Sequence, residues 1–278
     1  MRRNWPILIT TGILAFGGML AVAGPAAAAG PPGGLSGAPV RPGGPMVRPG
    51  GAAEGIATSP QHGRAGGAAQ NAVSSTNWAG YAVTGTSGQF TSVASSWVQP
   101  TATCSFGDQY SAFWVGLDGY TSRTVEQTGS EADCAWGTAE YSAWYEMYPA
   151  NPVYFNNTVR PGDKFKGLVT YQSGNFVISL TDTTEQWSHT VTQAVAGALR
   201  SSAEVIAEAP SSGSGVLPLT DFGTVNFTGT IVNGRGLCYL SPVEIIMPSA
   251  RDSSLACPGT FSVSYTGSGG GWSPWPWP

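Results

Sequence analysis

The stretch KFKGLVTYQSGNFVISLT, residues 164–181, contains two β-rich runs separated by a turn. Alternating or β-branched and aromatic residues fill Lys164–Tyr171 and Phe176–Thr181, as expected for strands with one buried face. The intervening Gln172-Ser173-Gly174-Asn175 is rich in residues that form turns. We therefore predict two strands joined by a tight turn.

Runs of the same kind continue in both directions along the chain. They lie at Trp78–Thr84, Phe90–Val98, Ser111–Leu117, Thr124–Thr128, Glu140–Tyr148, Trp187–Gln193, Glu204–Glu208, Thr224–Val232, Val243–Met247 and Phe261–Tyr265. Gly, Pro, Asn and Asp punctuate the gaps, and no segment has a convincing long helical period. Many short strands with regular turn signals indicate an all-β, antiparallel sandwich or barrel.

The N-terminus has the pattern of a secretory signal peptide. Arg2 and Arg3 precede a largely apolar stretch at Ile7–Val22, and small residues follow at Ala27-Ala28-Ala29. This pattern predicts a signal peptide at residues 1–29 and an extracellular, secreted protein. The alternative is an uncleaved membrane anchor, but the apolar core is short for a bilayer span of about 20 residues.

Two further segments flank the β-rich body at residues 71–266. Residues 30–70 are rich in Gly, Pro and Ala and are typical of a propeptide or linker, and residues 267–278 form a Gly/Trp/Pro-rich tail. Residues 1–70 carry five arginines and one glutamate, a net charge of +4, whereas residues 71–278 carry seven basic and fifteen acidic side chains, a net charge of −8. A basic leader could dock on the acidic body and dissociate when carboxylates become protonated.

The cysteines indicate disulfides rather than a metal site. All four, Cys104, Cys134, Cys238 and Cys257, lie in the β-rich body, and an even number in a secreted chain suggests two bridges. Of the three possible connectivities, sequence spacing favours Cys104–Cys134 with Cys238–Cys257. Because no Cys-x-x-Cys pair is present, we expect no zinc site.

The inventory of side chains excludes several hydrolytic mechanisms. His62 lies in the Gly/Pro-rich zone, so His189 is the single histidine of the body. A Ser-His-Asp triad would have to use it, and no Gly-x-Ser-x-Gly motif accompanies it. A zinc hydrolase would need more nitrogen ligands, and paired cysteines leave no thiol nucleophile. A hydrolase of this composition must work with carboxylates and amides, without a cofactor.

Three predicted strands carry such groups. Period two places Ser142, Trp144, Glu146 and Tyr148 on one face of a strand, where aromatic platforms surround one acid. Glu204 and Glu208 share a face with Ile206, and Gln127 faces opposite to Glu126. Taken singly, acids on the solvated face of a strand are normal, so a structural role is an open alternative for each.

At these residues the chain resembles the glutamic peptidases, also called eqolisins. The matching pieces follow the family's order at Asn77–Tyr81, Phe113–Gly119, Glu126–Gly129, Ala143–Pro149, Ser202–Glu208 and Phe222–Val225. They extend over most of the body, and six such pieces in order are specific where one would be weak. The resemblance implies a concanavalin-like β-sandwich of two curved antiparallel sheets, with the substrate across the concave sheet.

The resemblance also implies roles for individual residues. The family's catalytic glutamine falls on Gln127 and its catalytic glutamate on Glu208. Its substrate-binding residues match Asp118, Trp144, Glu146 and Tyr148. This chain departs from the family at Met147, where relatives have a second tryptophan, and at Ser142 and Glu131, where relatives often have aspartates. These departures affect subsite preference and the pH optimum rather than the dyad.

The sequence thus predicts a monomeric, secreted acid endopeptidase acting on proteins or peptides. The acidic body argues against nucleic acid as a partner, and we expect no membrane association after signal cleavage. Two alternatives use the same sandwich. A carbohydrate-binding module or adhesin would make Gln127 and Glu208 dispensable. A glycosidase would use two carboxylates across a cleft, such as Glu146 and Glu208.

Overall fold

The structure is a computed structural model that describes residues 72–213 and 215–267, together with the backbone of Ser36–Gly37 and Ala57–Thr58. The predicted signal peptide, most of the segment at residues 30–70 and the tail beyond residue 267 lie outside the described residues and stay predictions. Among the helices of the described part, none is long and apolar enough to cross a lipid bilayer.

The regular secondary structure of the described residues consists of strands and one short 3-10 helix. The strands are β1 (Ser36–Gly37), β2 (Ala57–Thr58), β3 (Ala72–Ser74), β4 (Trp78–Thr84), β5 (Ser92–Val98), β6 (Ala112–Leu117), β7 (Val125–Ala135), β8 (Thr138–Tyr148), β9 (Val153–Tyr154), β10 (Lys164–Gln172), β11 (Asn175–Asp182), β12 (Trp187–Gln193), β13 (Ser202–Glu208), β14 (Ser211–Ser212), β15 (Gly215–Val216), β16 (Thr224–Val232), β17 (Arg235–Gly236), β18 (Val243–Ile246), β19 (Ala250–Asp252) and β20 (Phe261–Tyr265). The 3-10 helix spans Leu237–Leu240.

Two large sheets contain nearly all of these strands. The first, the large sheet, has the order β1-β9-β8-β7-β6-β13-β4-β18-β3-β2. The second sheet has the order β12-β11-β10-β5-β16-β20-β19, with β17 paired to β16. Pairing is antiparallel except between β18 and β3, which run parallel. The predicted all-β sandwich of two antiparallel sheets is confirmed, apart from this one parallel pair.

The hairpin of β7 and β8 is longer than the sequence predicts. The β-rich pattern predicts a strand at Thr124–Thr128, whereas β7 continues to Ala135 and pairs with β8 over eleven residues. Gly129, Asp133 and small residues in this stretch have low strand propensity. Pairing with β8 and the covalent tie at Cys134 hold the extension in the sheet.

A core of aromatic and aliphatic side chains fills the space between the sheets. Alternate residues of the large sheet, such as Tyr81, Phe113 and Val205, meet those of the second sheet, such as Trp97 and Phe227. The Trp97 indole also donates a 2.9 Å hydrogen bond to Ser130 Oγ on the opposite sheet. The opposite face of the large sheet, here called the outer face, carries a second buried cluster that includes Trp78, Trp114 and Trp144.

Both disulfides have the connectivity that the sequence spacing favours. Cys104 is bonded to Cys134 and Cys238 to Cys257, with sequence separations of 30 and 19 residues. The first bridge ties the segment before β6 to the end of β7. The prediction of two local disulfides is confirmed.

Buried carboxyl groups give the fold a dependence on pH. Glu126 lies on the core side of β7, in register with Leu117 and Met147, and is fully buried. Burial, with a smaller contribution from Asp118, raises the pKa of Glu126 from 4.5 to about 8, although the Thr124 hydroxyl lowers it in part. Burial likewise raises the pKa of Glu204 well above its usual range. Both groups are therefore protonated in the folded protein in acid.

We expect the Glu126→Gln variant to be more stable than the wild type at pH 8 and nearly as stable at pH 4. With a raised folded-state pKa, Glu126 contributes stability that is complete below pH 4.5 and is lost as the pH rises towards 8. The loss is on the order of 5 kcal/mol. Denaturant unfolding with intact disulfides at several pH values measures it. Glu140→Gln, an exposed carboxyl on β8, is the matched control, and an unchanged pH dependence in Glu126→Gln would contradict the assignment.

Candidate active site

The outer face of the large sheet carries polar side chains in rows that run across its strands. One row contains Ala82, Glu204, Gly116, Gln127 and Glu146. The next contains Gly80, Ile206, Trp114, Gly129 and Trp144. A third contains Trp78, Glu208, Ala112, Glu131 and Ser142. Because residues paired across antiparallel strands point to the same side, these three rows lie on one face of the large sheet, and nearly all of their side chains are buried.

Gln127 is held by a direct contact with its neighbour on β8. Its amide Nε2 donates a 2.9 Å hydrogen bond to Glu146 Oε2, and both side chains are fully buried. The two residues are directly opposite in the β7–β8 ladder. The structure therefore brings together the predicted catalytic amide and a predicted substrate-binding acid, and the contact fixes the orientation of the amide.

Glu208 is held by two neutral donors. The Trp114 indole donates to Glu208 Oε2 at 2.7 Å, and the Asn77 amide donates to Oε1 at 3.4 Å. Asn77 is itself positioned by Ser75, whose hydroxyl donates to its Oδ1 at 3.0 Å. Such donors stabilise a carboxylate more than a carboxylic acid. These two hydrogen bonds offset part of the cost of burying the charged form of Glu208.

Two glycines lie close to Trp114, Gly116 beside its ring and Gly129 beside its backbone and Cβ atom. A Cβ atom at Gly116 would lie 2.9 Å from Trp114 Cζ3, and one at Gly129 would lie 2.6 Å from Trp114 Cβ and 2.3 Å from the Phe113 carbonyl oxygen. Trp78 packs edge-on against Trp114 with ring centroids 4.9 Å apart. The spacing of Trp114, Gly116 and Gly129 in the sequence thus determines where the indole nitrogen lies.

Gln127 and Glu208 share the outer face but do not lie opposite one another. Gln127 is in register with Gly116 of β6, whereas Glu208 is in register with Ala112 of the same strand. Ala112 and Gly116 are four residues apart on β6, so Gln127 and Glu208 lie two rows apart. The two groups therefore flank the Trp114 row.

The other predicted substrate-binding residues differ in their placement. Trp144 lies buried in the middle row, and half-buried Tyr148 lies opposite Val125 on the same face. The Asp118 carboxylate is buried and accepts backbone N–H groups of Leu199, Arg200 and Ser201 at 2.6–2.9 Å. This contact gives Asp118 a structural role in the loop before β13, and its predicted role in substrate binding stays a prediction.

The structure adds hydrogen bonds that the sequence did not reveal. Glu131 lies in the row of Glu208, with only Ala112 between them. Its carboxylate accepts the Ser142 hydroxyl at 2.6 Å and the Tyr154 hydroxyl at 3.0 Å. Burial, followed by the charge of Glu131, raises the pKa of Tyr154 well above its usual range. Trp114 and Asn77 lie inside the quoted motifs, so their positions were visible in the sequence, but their hydrogen bonds were not.

The described residues hold no group of three or more His, Cys, Asp or Glu side chains arranged to bind a metal ion. His189 stacks on Phe155 with ring centroids 4.3 Å apart, and its Nε2 is 2.6 Å from Asn157 Oδ1. Burial lowers the pKa of His189. It lies on β12 of the second sheet, away from the rows of the outer face.

Known proteins share both this sequence pattern and this fold. The chain is 32% identical to Aspergillopepsin-2 of Aspergillus niger over 148 residues, which are 51% of this chain and 52% of that protein. It thus spans about half the length of this curated relative. It is also similar to a crystal structure of scytalido-glutamic peptidase with a transition state analog inhibitor, at 26% identity and a TM-score of 0.59, covering 69% of this chain and 98% of that one.

A second structure of scytalido-glutamic peptidase, with a peptide-based transition state analog, has 27% identity and a TM-score of 0.56 over the same shares of the two chains. The resemblance to glutamic peptidases that six sequence pieces indicate is therefore confirmed. The model of the Peptidase A4 family matches residues 76–246, which include all the rows described above. Because this match covers more than half of the chain, the protein belongs to the Peptidase A4 family.

Proposed function

We propose that the chain is a secreted endopeptidase that hydrolyses peptide bonds in acid with Glu208 and Gln127. One observation carries the proposal. A buried carboxyl held by Trp114 and a buried amide held by Glu146 lie on one face of a sheet, inside the segment that matches the family. An acid and an amide of this kind supply the two functions that amide hydrolysis requires.

The first function is the activation of water. As a carboxylate, Glu208 takes a proton from a water molecule while the water oxygen attacks the carbonyl carbon of the scissile bond. The protonated Glu208 then gives that proton to the leaving nitrogen as the C–N bond breaks, which returns the carboxylate. The Trp114 and Asn77 donors stabilise the charged form that begins this cycle.

The second function is the stabilisation of the oxyanion. Attack by water places negative charge on the carbonyl oxygen, and a neutral N–H donor can bind it without a change of protonation at any working pH. The amide nitrogen of Gln127 has two hydrogens. Its bond to Glu146 orients the group, and we assign the second hydrogen to the oxyanion.

We further propose that a peptide lies across the outer face, where Trp144, Glu146 and Tyr148 contact its side chains. The chain is expected to act as a monomer. In the same proposal, residues 30–70 are an inhibitory propeptide whose basic residues contact the acidic body. Residues 30–70 carry three arginines and one glutamate, a net charge of +2, and residues 71–278 carry a net charge of −8, so the opposite charges support this attraction.

We expect Glu208→Gln to lower kcat on a peptide by about 10³-fold and Gln127→Ala by about 10²–10³-fold, because each removes one function of the dyad. Cleavage of a synthetic peptide from pH 2 to 8, with inhibitors of serine and metallo-hydrolases present, measures both. The matched control Glu140→Gln should retain wild-type activity.

Glu146→Gln distinguishes the alternatives, because the glutamine oxygen can still accept from Gln127. The peptidase mechanism predicts that this variant retains most of its activity. A glycosidase would require Glu146 and tolerate Gln127→Ala. Full activity in both Glu208→Gln and Gln127→Ala would contradict the proposed mechanism.

We expect Trp114→Phe to shift the acid limb of the kcat/KM profile to higher pH by about one unit, because Glu208 loses a hydrogen bond to its charged form. Trp97→Phe is the matched control. It also removes a buried indole donor, but its partner is Ser130 in the core. The Trp97→Phe control should be less stable than the wild type, but the acid limb of its kcat/KM profile should be unchanged. If Trp114→Phe and the wild type have identical kcat/KM profiles, the proposed role of Trp114 is wrong.

A further inference from the structure

Two large aromatic side chains are exposed together at one end of the β7–β8 hairpin. Phe106 is 88% exposed and Trp136 is 75% exposed. Their ring centroids are 5.8 Å apart, with the planes at 79°. Single exposed apolar residues are ordinary on protein surfaces, but a contiguous exposed pair is more often an interaction site.

The backbone at Trp136 is unfavourable for this residue type. Trp136 and Gly137 form the two-residue turn between the paired residues Ala135 and Thr138, with φ angles of 51° and 83°. A turn with two positive φ values favours Asn-Gly, and a bulky side chain at the first position is strained. Folding alone does not favour tryptophan here, so its presence indicates a role for the exposed ring.

The aromatic pair is also fixed in place. The Cys104–Cys134 disulfide ties the segment that carries Phe106 to the end of β7. Gln109 and Cys134 exchange backbone hydrogen bonds of 3.1 and 2.8 Å, and the Trp136 N–H donates to Asp108 Oδ1 at 3.4 Å. A preorganised surface loses little conformational entropy on binding.

The pair is continuous with the candidate active site. β7 carries both Gln127 and Glu131, and Glu131 belongs to the row of Glu208. From Glu131 to Trp136 the chain advances by about 17 Å, at about 3.4 Å per residue. An extended peptide covers this distance with about five residues. One substrate chain is therefore long enough to contact the Glu208 row and the aromatic pair together.

We propose that Phe106 and Trp136 form an exosite that binds an apolar side chain of the polypeptide substrate, at least five residues from the bond that is cleaved. This inference rests on the proposed peptidase function. The edge-on geometry of the two rings makes a notch suited to one apolar side chain, rather than the flat platform that a sugar ring would need. The occupant is the substrate itself, because the site and the pair lie along the same strands.

The test compares three peptides that share one scissile bond. The first is six residues long. The other two add a segment with phenylalanine residues five to seven positions from the bond, on the N-terminal or the C-terminal side. Trp136→Gly removes the ring and places at the turn the residue that its φ angle favours, so the fold is retained. Phe106→Ser is a second variant. Tyr239→Ser, which changes a 59% exposed aromatic in the 3-10 helix, is the matched control.

We expect the wild type to cleave one long peptide with a lower KM than the short peptide. Trp136→Gly and Phe106→Ser should each raise that KM about 10-fold and leave kcat and the short peptide unaffected. The control should match the wild type. If the two variants change the KM for long and short peptides equally, or change neither, the exosite proposal is wrong. A concentration-dependent dimer that Trp136→Gly abolishes also overturns it, because the occupant is then a second copy. If the wild type cleaves none of the three peptides, the proposed function itself fails.

Discussion

The hydrogen bond from the Trp114 indole to Glu208, at 2.7 Å, is the contact on which the arrangement of the outer face depends. The six-membered part of the Trp114 ring lies close to Gly116, where a side chain would clash with it, and Gly129 lets β7 approach the backbone of β6 at Phe113 and Trp114. The same ring separates the row of Gln127 from the row of Glu208. One packing constraint therefore positions the carboxylate and sets its distance from the amide.

This arrangement has a cost in stability that the rest of the fold must offset. Glu131, Glu146, Glu204 and Glu208 are all nearly or fully buried on one face, and burial of charge is unfavourable unless it is hydrogen-bonded or neutralised. Two hydrogen-bond donors contact each of the carboxyl groups of Glu131 and Glu208. Glu204 is instead kept protonated, because burial raises its pKa. The aromatic core between the sheets supplies the compensating apolar burial. Because their pKa values are raised, Glu126 and Glu204 are neutral in acid, and their burial is least unfavourable there.

Much of the fold could be predicted from the sequence, because β-rich runs and turn residues report directly on backbone geometry. Period two placed Trp144, Glu146 and Tyr148 on one face, and local spacing indicated both disulfides. The length of β7 could not be predicted, because Gly129 and Asp133 have low strand propensity and pairing with β8 outweighs it. The hydrogen-bond donors to Glu208 could not be predicted either. Register between β6 and β13 brings Trp114 to Glu208 across 94 positions, and no local pattern encodes such a distance.

The most direct test of the account follows the Trp114 indole N–H by nuclear magnetic resonance as the pH is changed from 2 to 7. Because this hydrogen is donated to Glu208, its chemical shift should follow the ionisation of that carboxyl. The account predicts one titration in acid that coincides with the acid limb of kcat/KM and disappears in Glu208→Gln. An indole resonance that is insensitive to pH, or that titrates identically in Glu208→Gln, would contradict it.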